Sequence, residues 1–304
     1  MDPGLPPLLD LEPSHRGTMR GRSGHALAYA RWDREAPRGR AVLLHGYGEH
    51  GERYRHTAAW LHGLGWAVSA LDQQGFGRSE GVRGDAQGIR GFVEDLARFL
   101  RQERRHDQEQ AGVARSGVEG EAPPLHPQVL LGHSFGGLVA SLTLLWHPDT
   151  LDGLVLSSPA IHLKPLPLHA RIGLVVLGML APHWSFHAPS GKERVCTDPR
   201  LVERFGEDPL CHQFLTAAFG QALYEGEREL VPYGSEVDRP VLVLEAGEDV
   251  LIDHDAADRL WNAVPPELLE RHRLPGLKHE LLHDLRREDV QAQIAAWLER
   301  RFPG

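Results

Sequence analysis

The residues best placed to do chemistry are a serine set between glycines and two side chains that follow it along the chain. Gly132-His133-Ser134-Phe135-Gly136 comes directly after the apolar run Val129-Leu130-Leu131 and directly before an apolar, helix-like stretch. A serine on a tight strand-to-helix turn presents its hydroxyl above the sheet, and small residues on either side let strand and helix approach closely. The start of the following helix also offers backbone N–H groups and a positive dipole end to a developing oxyanion. A glycine-rich turn without chemistry would match the pattern, but not its strand-before, helix-after setting.

A serine hydroxyl is a poor nucleophile until a base takes its proton. With an elbow of this kind the partners follow in the order serine, acid, histidine. The apolar run at 241–246 leads into Gly247-Glu248-Asp249, and Asp249 is the expected acid. Asp253 is the runner-up, although it precedes Ala256-Ala257 and suits a helix N-cap; Glu248 is third. Four histidines follow the acid: His254, His272, His279 and His283. His272 falls within a strand-like run and His254 at a helix start. His279, on the loop opened by Pro275-Gly276, is free to reach the serine. The expected oxyanion donors are the N–H groups of Phe135 and of Tyr47, the latter in His45-Gly46-Tyr47-Gly48 after another strand-like run. His45 is expected to brace this loop rather than act as a base.

The elements that must position these residues are legible as alternating patterns. Strand-like runs occur at 26–32, 40–45, 66–71, 128–132, 153–157, 240–246 and 270–274. Helix-like patterns occur at 53–64, 91–104, 135–146, near 255–264, and at 287–301. Such alternation predicts a mostly parallel sheet with helices on both faces, with 26–32 at an antiparallel edge. Arg16, Arg20 and Arg22 lie among glycines in 15–22, a solvated turn or early strand. Two stretches break the rhythm. Residues 106–127 are polar, with glycines and two adjacent prolines, and read as a surface insertion. Limited proteolysis is expected to cut there first, without loss of activity. Residues 160–237 contain apolar helix-like segments but no strand–helix–strand unit, which suggests a helical cap. The expected organisation is therefore a core of 1–159 and 238–304 with a cap at 160–237.

Composition bounds what such a protein can be. The 304 residues are 41% hydrophobic and 25% charged, ordinary globular values, with a net charge of -9. No basic face for nucleic acid is visible, and an acidic chain gains no electrostatic help at an anionic membrane. Two cysteines, Cys196 and Cys211, do not make a disulfide framework and are expected to stay reduced; no cysteine or histidine spacing typical of zinc occurs. Residues 1–11 lack the basic start and apolar run of a signal peptide. The longest apolar run, 172–182, is about half a bilayer span. The expected location is the cytoplasm.

The motifs also resemble a known family. His45-Gly46-Tyr47-Gly48-Glu49-His50 followed by Arg53-Tyr54 is similar to the HGxGEH…RY segment of monoacylglycerol lipases and bacterial lysophospholipase-like hydrolases, grouped as the serine aminopeptidase S33 or Hydrolase 4 family. Asp72-Gln73-Gln74-Gly75-Phe76-Gly77-Arg78-Ser79-Glu80-Gly81 resembles its DxRGHGxSxG loop, with Gln74 and Phe76 in place of arginine and histidine, and Asp208-Pro209-Leu210 resembles its cap motif. The resemblance spans about residues 25–300 and implies an α/β-hydrolase fold with a lid. It also implies activity on single-acyl lipids or small carboxylic esters. The expected reaction is acyl transfer to water at Ser134, needing no cofactor or metal, with at most transient contact between cap and membrane surface. Two other readings stand beside it. An aminopeptidase would need acids to hold the substrate amine, such as Glu49, Glu80, Glu203 or Glu207. A silent binding protein would lack one member of the serine, acid and histidine set, and all three positions are filled. Aspartate-nucleophile hydrolases of the fold are excluded by Ser134.

The cap stretch 166–180 is more apolar than a surface helix should be. In a helix, Leu168, Ile172, Val175, Val176 and Met179 share one face, and Leu174, Leu177 and Leu180 lie outside it. One face is then expected to pack on the core while the other lines an acyl tunnel or touches lipid; the alternative buries both.

Overall fold

The structure, a computed structural model, describes residues 8–110, 126–165, 168–187 and 191–303. Short apolar runs of five to seven residues form most of the strands: β1 (His15–Arg20), β2 (Ala26–Trp32), β3 (Arg40–Leu44), β4 (Ala67–Leu71), β5 (Gln128–His133), β6 (Gly153–Ser157), the short β7 (Ser185–His187) and β8 (Phe214–Thr216), then β9 (Val241–Ala246) and β10 (Leu269–Leu274). The helices are α1 (Arg55–Gly63), α2 (Ile89–Gln110), α3 (Phe135–Trp146), α4 (Leu168–Leu180), α5 (Lys192–Val195), α6 (Pro199–Glu207), α7 (Ala217–Leu230), α8 (Asp258–Trp261) and α9 (Arg287–Arg301).

Eight strands form one sheet in the order β1-β2-β4-β3-β5-β6-β9-β10. Within it β2 runs against its neighbours and the pairs from β4 to β10 are parallel. Strands β3, β4, β5, β6 and β9 are buried throughout, as a sheet covered on both faces requires. One apolar layer joins α2, α3 and α7 to the sheet through residues such as Phe99, Leu138 and Phe219. The other joins α1 and α9 through Leu61, Trp66, Ile294 and Trp297. The resulting α/β-hydrolase architecture is the one the motifs implied.

Several boundaries differ from the sequence reading. The edge belongs to β1, so β2 lies one strand in; the alternation of exposure along His15–Arg20 is that of an edge strand with a wet face. The stretch 53–64 divides into a 3₁₀ turn, Gly51–Tyr54, and α1. Helix α2 continues to Gln110, so His106 and Asp107 are helical rather than part of an insertion. Asp107 and Asp33 pair with the buried Arg40, which anchors this last part of the helix to β3. Residues 111–125, the rest of the expected insertion, lie outside the described residues, as do 166 and 167 of the apolar cap stretch. The helix expected near 255–264 is confined to α8, preceded by turns.

Between β6 and β9 the described residues contribute no strand to the large sheet; they form α4 to α7 and the antiparallel pair β7–β8. Helix α7 packs on α3 through Phe219 and Phe135, with ring centroids 4.7 Å apart. Helix α4 lies against α7, where Leu174 stands over Gly220 and Gly178 faces Gln221. No described helix is long and apolar enough to cross a membrane.

Candidate active site

In a parallel sheet the carboxyl ends of the strands share one edge, and loops leaving them converge. Ser134 follows β5, the loop with Tyr47 follows β3, Asp249 follows β9 and His279 follows β10. Leu44 pairs with Gly132 and His133 with Ser157, so the ends of β3, β5 and β6 lie side by side.

Ser134 has φ 51° and ψ -120°, a backbone conformation that side chains rarely adopt. It is held there by its own backbone bonds: its N–H donates to Ser157 O at 3.0 Å, and its carbonyl accepts from Gly137 N at 2.9 Å and Ala160 N at 2.9 Å. The glycines around it are required by contact. A Cβ on Gly136 would stand 2.5 Å from the carbonyl oxygens of both Leu44 and His45, and one on Gly132 would stand 2.7 Å from Gly136 O. These are backbone atoms that cannot swing aside. Gly136→Ala is therefore expected to cost about 1–3 kcal/mol and to lower activity by displacing the end of β3. Thermal denaturation beside an activity assay checks this; an unchanged midpoint would mean that strand and helix have room to separate.

Oγ of Ser134 lies 2.9 Å from Nε2 of His279, and Nδ1 of His279 lies 2.7 Å from Oδ2 of Asp249. A carboxylate only accepts, so the proton of neutral His279 sits on Nδ1 and Nε2 presents a lone pair to the serine. The side chains of His279 and Asp249 are 4% and 1% exposed. Burial raises the Asp249 carboxyl, but hydrogen bonds from His254 and His279, the charge of His279 and the backbone bond from Leu251 outweigh it and hold it well below the usual carboxylate range. Its Oδ1 accepts from Leu251 N at 2.9 Å and Ile252 N at 3.0 Å. Asp253 instead accepts from Ala256 N at 3.2 Å and closes a local turn; the helix N-cap role expected of it falls to Ala257, because the helix begins only at Asp258. His272 bonds to Glu270 at 2.8 Å, on β10, away from this line.

The loop after β3 touches the elbow directly, since a Cβ on Gly46 would lie 3.1 Å from Cβ of Ser134. Gly48, at φ 75°, lets the chain turn beyond Tyr47. His45 is fully buried and accepts at Nε2 from Gln73 N at 3.0 Å, so Nδ1 carries its proton and donates to Gly46 O at 2.8 Å. Burial lowers its pKa, which keeps it neutral. Glu49 accepts from Gly46 N at 2.9 Å and Tyr54 OH at 3.1 Å, and pairs with Arg53. His133, also buried, is pushed down to about 3 by desolvation and faces Ser157 O at 3.0 Å. Phe76, which departs from the family pattern, stacks on His212 at 5.1 Å and meets His45 edge-on at 5.6 Å. It fills apolar space beside the loop. Gln74 accepts from Ser23 Oγ at 2.9 Å, outside the site.

One participant escaped the sequence reading. His254, whose sequence setting is that of a helix start, places Nε2 3.2 Å from Asp249 Oδ2, and its other nitrogen faces Glu245 at 3.7 Å. Its only signal in the sequence was proximity to Asp249. The cap residues also fall differently. Leu168, Ile172, Val175, Val176 and Met179 are exposed, on the outer side of α4, while Leu174 and Leu177 turn inward and are half-buried. Of the two roles expected for that stripe, lining an acyl tunnel or touching lipid, the outward placement leaves the second, because the inner side of α4 is taken by α7.

A serine on an elbow, a histidine and a carboxylate at the carboxyl edge of a mostly parallel sheet define a hydrolase of the α/β-hydrolase fold. The family model described as serine aminopeptidase S33 (Hydrolase_4) matches residues 35–286, and the chain belongs to that family. The chain is 29% identical to the monoacylglycerol lipase of Mycolicibacterium smegmatis over 282 residues, covering 91% of this chain and 94% of that protein. It is 27% identical to the human monoglyceride lipase over 270 residues, covering 87% of this chain and 84% of the relative. The crystal structure of a monoacylglycerol lipase from Paleococcus ferrophilus superposes with a TM-score of 0.74 at 27% identity, over 90% of this chain and 99% of that one. The resemblance read from the motifs is thus borne out.

Proposed function

We propose that this chain is a serine esterase that hydrolyses single-acyl lipid esters, monoacylglycerols or lysophospholipids, through an acyl-enzyme. The observation that carries the reading is the hydrogen-bonded line from Ser134 through His279 to Asp249 at the elbow. His279 Nε2 takes the proton of Ser134 as Oγ attacks the ester carbonyl. The N–H groups of Tyr47 and Phe135 receive the oxyanion; Phe135 opens α3, where the first N–H groups have no acceptor within the helix. Asp249 stays ionised and stabilises the imidazolium. His279 then protonates the leaving alcohol, deprotonates a water that attacks the acyl group, and returns the proton to Ser134. Every step is proton transfer or acyl transfer, so none calls on a metal or organic cofactor.

Residues 160–237 act as the cap. The names of the relatives at 29% and 27% identity support a monoacylglycerol substrate. The exposed apolar side of α4 supports a substrate presented at a lipid–water surface, where that side is covered transiently. The aminopeptidase reading loses one of its amine-binding acids, because Glu49 is 1% exposed and already engaged by Gly46, Tyr54 and Arg53.

A panel of p-nitrophenyl esters from acetate to palmitate, run beside monoacylglycerol, lysophospholipid and aminoacyl-anilide substrates, tests this. Each buried methylene contributes about 0.8 kcal/mol, so kcat/KM is expected to rise roughly fourfold per methylene until the acyl site is filled. Val176→Glu or Met179→Glu should depress turnover of micellar monoacylglycerol and spare soluble acetate esters. A profile that is flat or falls from acetate, with aminoacyl-anilides cleaved faster, would establish the peptidase instead.

A further inference from the structure

Beside the loop that carries Tyr47, three residues of metal-ligating type from two distant segments of the chain converge. His50 precedes the 3₁₀ turn Gly51–Tyr54. Asp208 ends α6, and Cys211 follows on the next turn, its N–H donating to Asp208 O at 3.0 Å. One ligand atom from each lies within 4.8 Å of the others, and His50 Nε2 is 2.8 Å from Asp208 Oδ2. His50 and Asp208 are 4% and 29% exposed, so the cluster is walled on the His50 side and open to water on the other.

We propose that His50, Asp208 and Cys211 form a binding site for a zinc-like divalent cation, with water as the fourth ligand. Sulfur, imidazole nitrogen and carboxylate oxygen together select a borderline-soft ion over magnesium or calcium. In a tetrahedral zinc site with bonds of about 2.0–2.3 Å, ligand atoms stand roughly 3.3–3.8 Å apart. Closing the present cluster to that spacing requires side-chain shifts on the order of 1 Å. The carboxylate is already oriented, since Asp208 Oδ1 accepts from Leu210 N at 2.9 Å and leaves Oδ2 toward His50. Charge is favourable too. Arg53, on the 3₁₀ turn after His50, is paired with Glu49 and Glu280. Arg78 also acts on Asp208 and is itself paired with Glu52, so the cation would add to a cluster whose neighbouring arginines are already engaged by carboxylates. The backbone is joined at the same place, His212 N donating to Gly48 O at 3.0 Å. A bound cation would thus fasten the segment after α6 to the loop beside Ser134. The absence of a zinc spacing in the sequence does not oppose this, because His50 and Asp208 are 158 positions apart.

The test uses the full chain, treated with EDTA and desalted, titrated with zinc against a chromophoric chelator and separately with cobalt. The expected result is one tight zinc equivalent and a cobalt form with thiolate-to-cobalt charge-transfer absorption and tetrahedral d–d bands. Cys211→Ser should abolish the charge-transfer band and weaken zinc by about 100-fold or more, since loss of outer-shell partners alone costs about 10–100-fold. Asp208→Asn should weaken binding as well, and Cys196→Ser should change neither reading. Circular dichroism confirms that each variant is folded. Wild-type binding retained in Cys211→Ser, a band that vanishes only in Cys196→Ser, or no stoichiometric zinc in the wild type would overturn the proposal. No ester is turned over in these measurements, so they stand or fall apart from the esterase reading.

Discussion

Ser134→Ala is expected to lower kcat about 10⁶-fold, the scale seen when the nucleophile of a comparable triad is removed. The residue contributes the only hydroxyl within hydrogen-bond reach of His279 Nε2 among the described contacts. In the proposed mechanism its loss leaves His279 no proton to take and prevents the covalent intermediate, so whatever rate remains would come from the oxyanion donors and binding. The fold should survive. The bonds that hold the elbow run through the backbone of residue 134, to Ser157 O and from Gly137 and Ala160 N, and the side chain makes none of them. The thermal midpoint should therefore stay near that of the wild type, while labelling by a fluorophosphonate probe disappears. Retention of most of the activity would move the nucleophile elsewhere. The nearby Ser157 and Ser158 offer no obvious replacement, both being fully buried.

Asp249→Asn is expected to cost on the order of 10⁴ in kcat, and the geometry gives the reason. Oδ1 accepts two backbone N–H groups, from Leu251 and Ile252, so an asparagine must keep its carbonyl oxygen there. Its NH₂ then occupies the place of Oδ2 and points at His279. A donor in that position turns Nδ1 into an acceptor and moves the imidazole proton to Nε2, where it can no longer accept from Ser134. The same NH₂ confronts Nε2 of His254, which loses its acceptor. Asp253→Asn is the control. Its carboxylate accepts from Ala256 N, and the change should cost about 1 kcal/mol or less in stability, with turnover nearly unchanged. A larger loss of kcat from Asp253→Asn than from Asp249→Asn would transfer the acid role to Asp253.

Much of the frame was legible before any coordinates. Strands β3, β5, β6, β9 and helices α3 and α9 fall within a residue of their expected bounds, because fully buried parallel strands are short apolar runs and helices of that length carry a clear end signal. Where local signals are weak, the tertiary structure decides. Residues 15–22 read as a solvated turn or early strand, and His15–Arg20 forms the strand, taking the edge expected of Ala26–Trp32 by pairing with it. The polarity of His106 and Asp107 suggested a loop, but Arg40, buried in β3, draws Asp107 into the end of α2.

What the sequence determined by itself is what depends on near neighbours along the chain. That includes the serine on its glycine-lined turn, the carboxylate just past one strand and the histidine on a loop past the last. Spacing, chain order and periodicity are properties of a few adjacent residues, and they survive without knowledge of the rest of the chain. Only the tertiary structure decided which surfaces meet. It turned the apolar stripe of α4 outward, because α7 already covers the other side of that helix. It brought His254 onto Asp249, and it set Glu49 and His45 to bracing the loop of Tyr47. It also assembled His50 with Asp208 and Cys211 from segments 158 positions apart. Such pairings depend on how loops from separate strands close over one another. That is fixed by packing and hydrogen bonding across the whole core, and no local pattern encodes it.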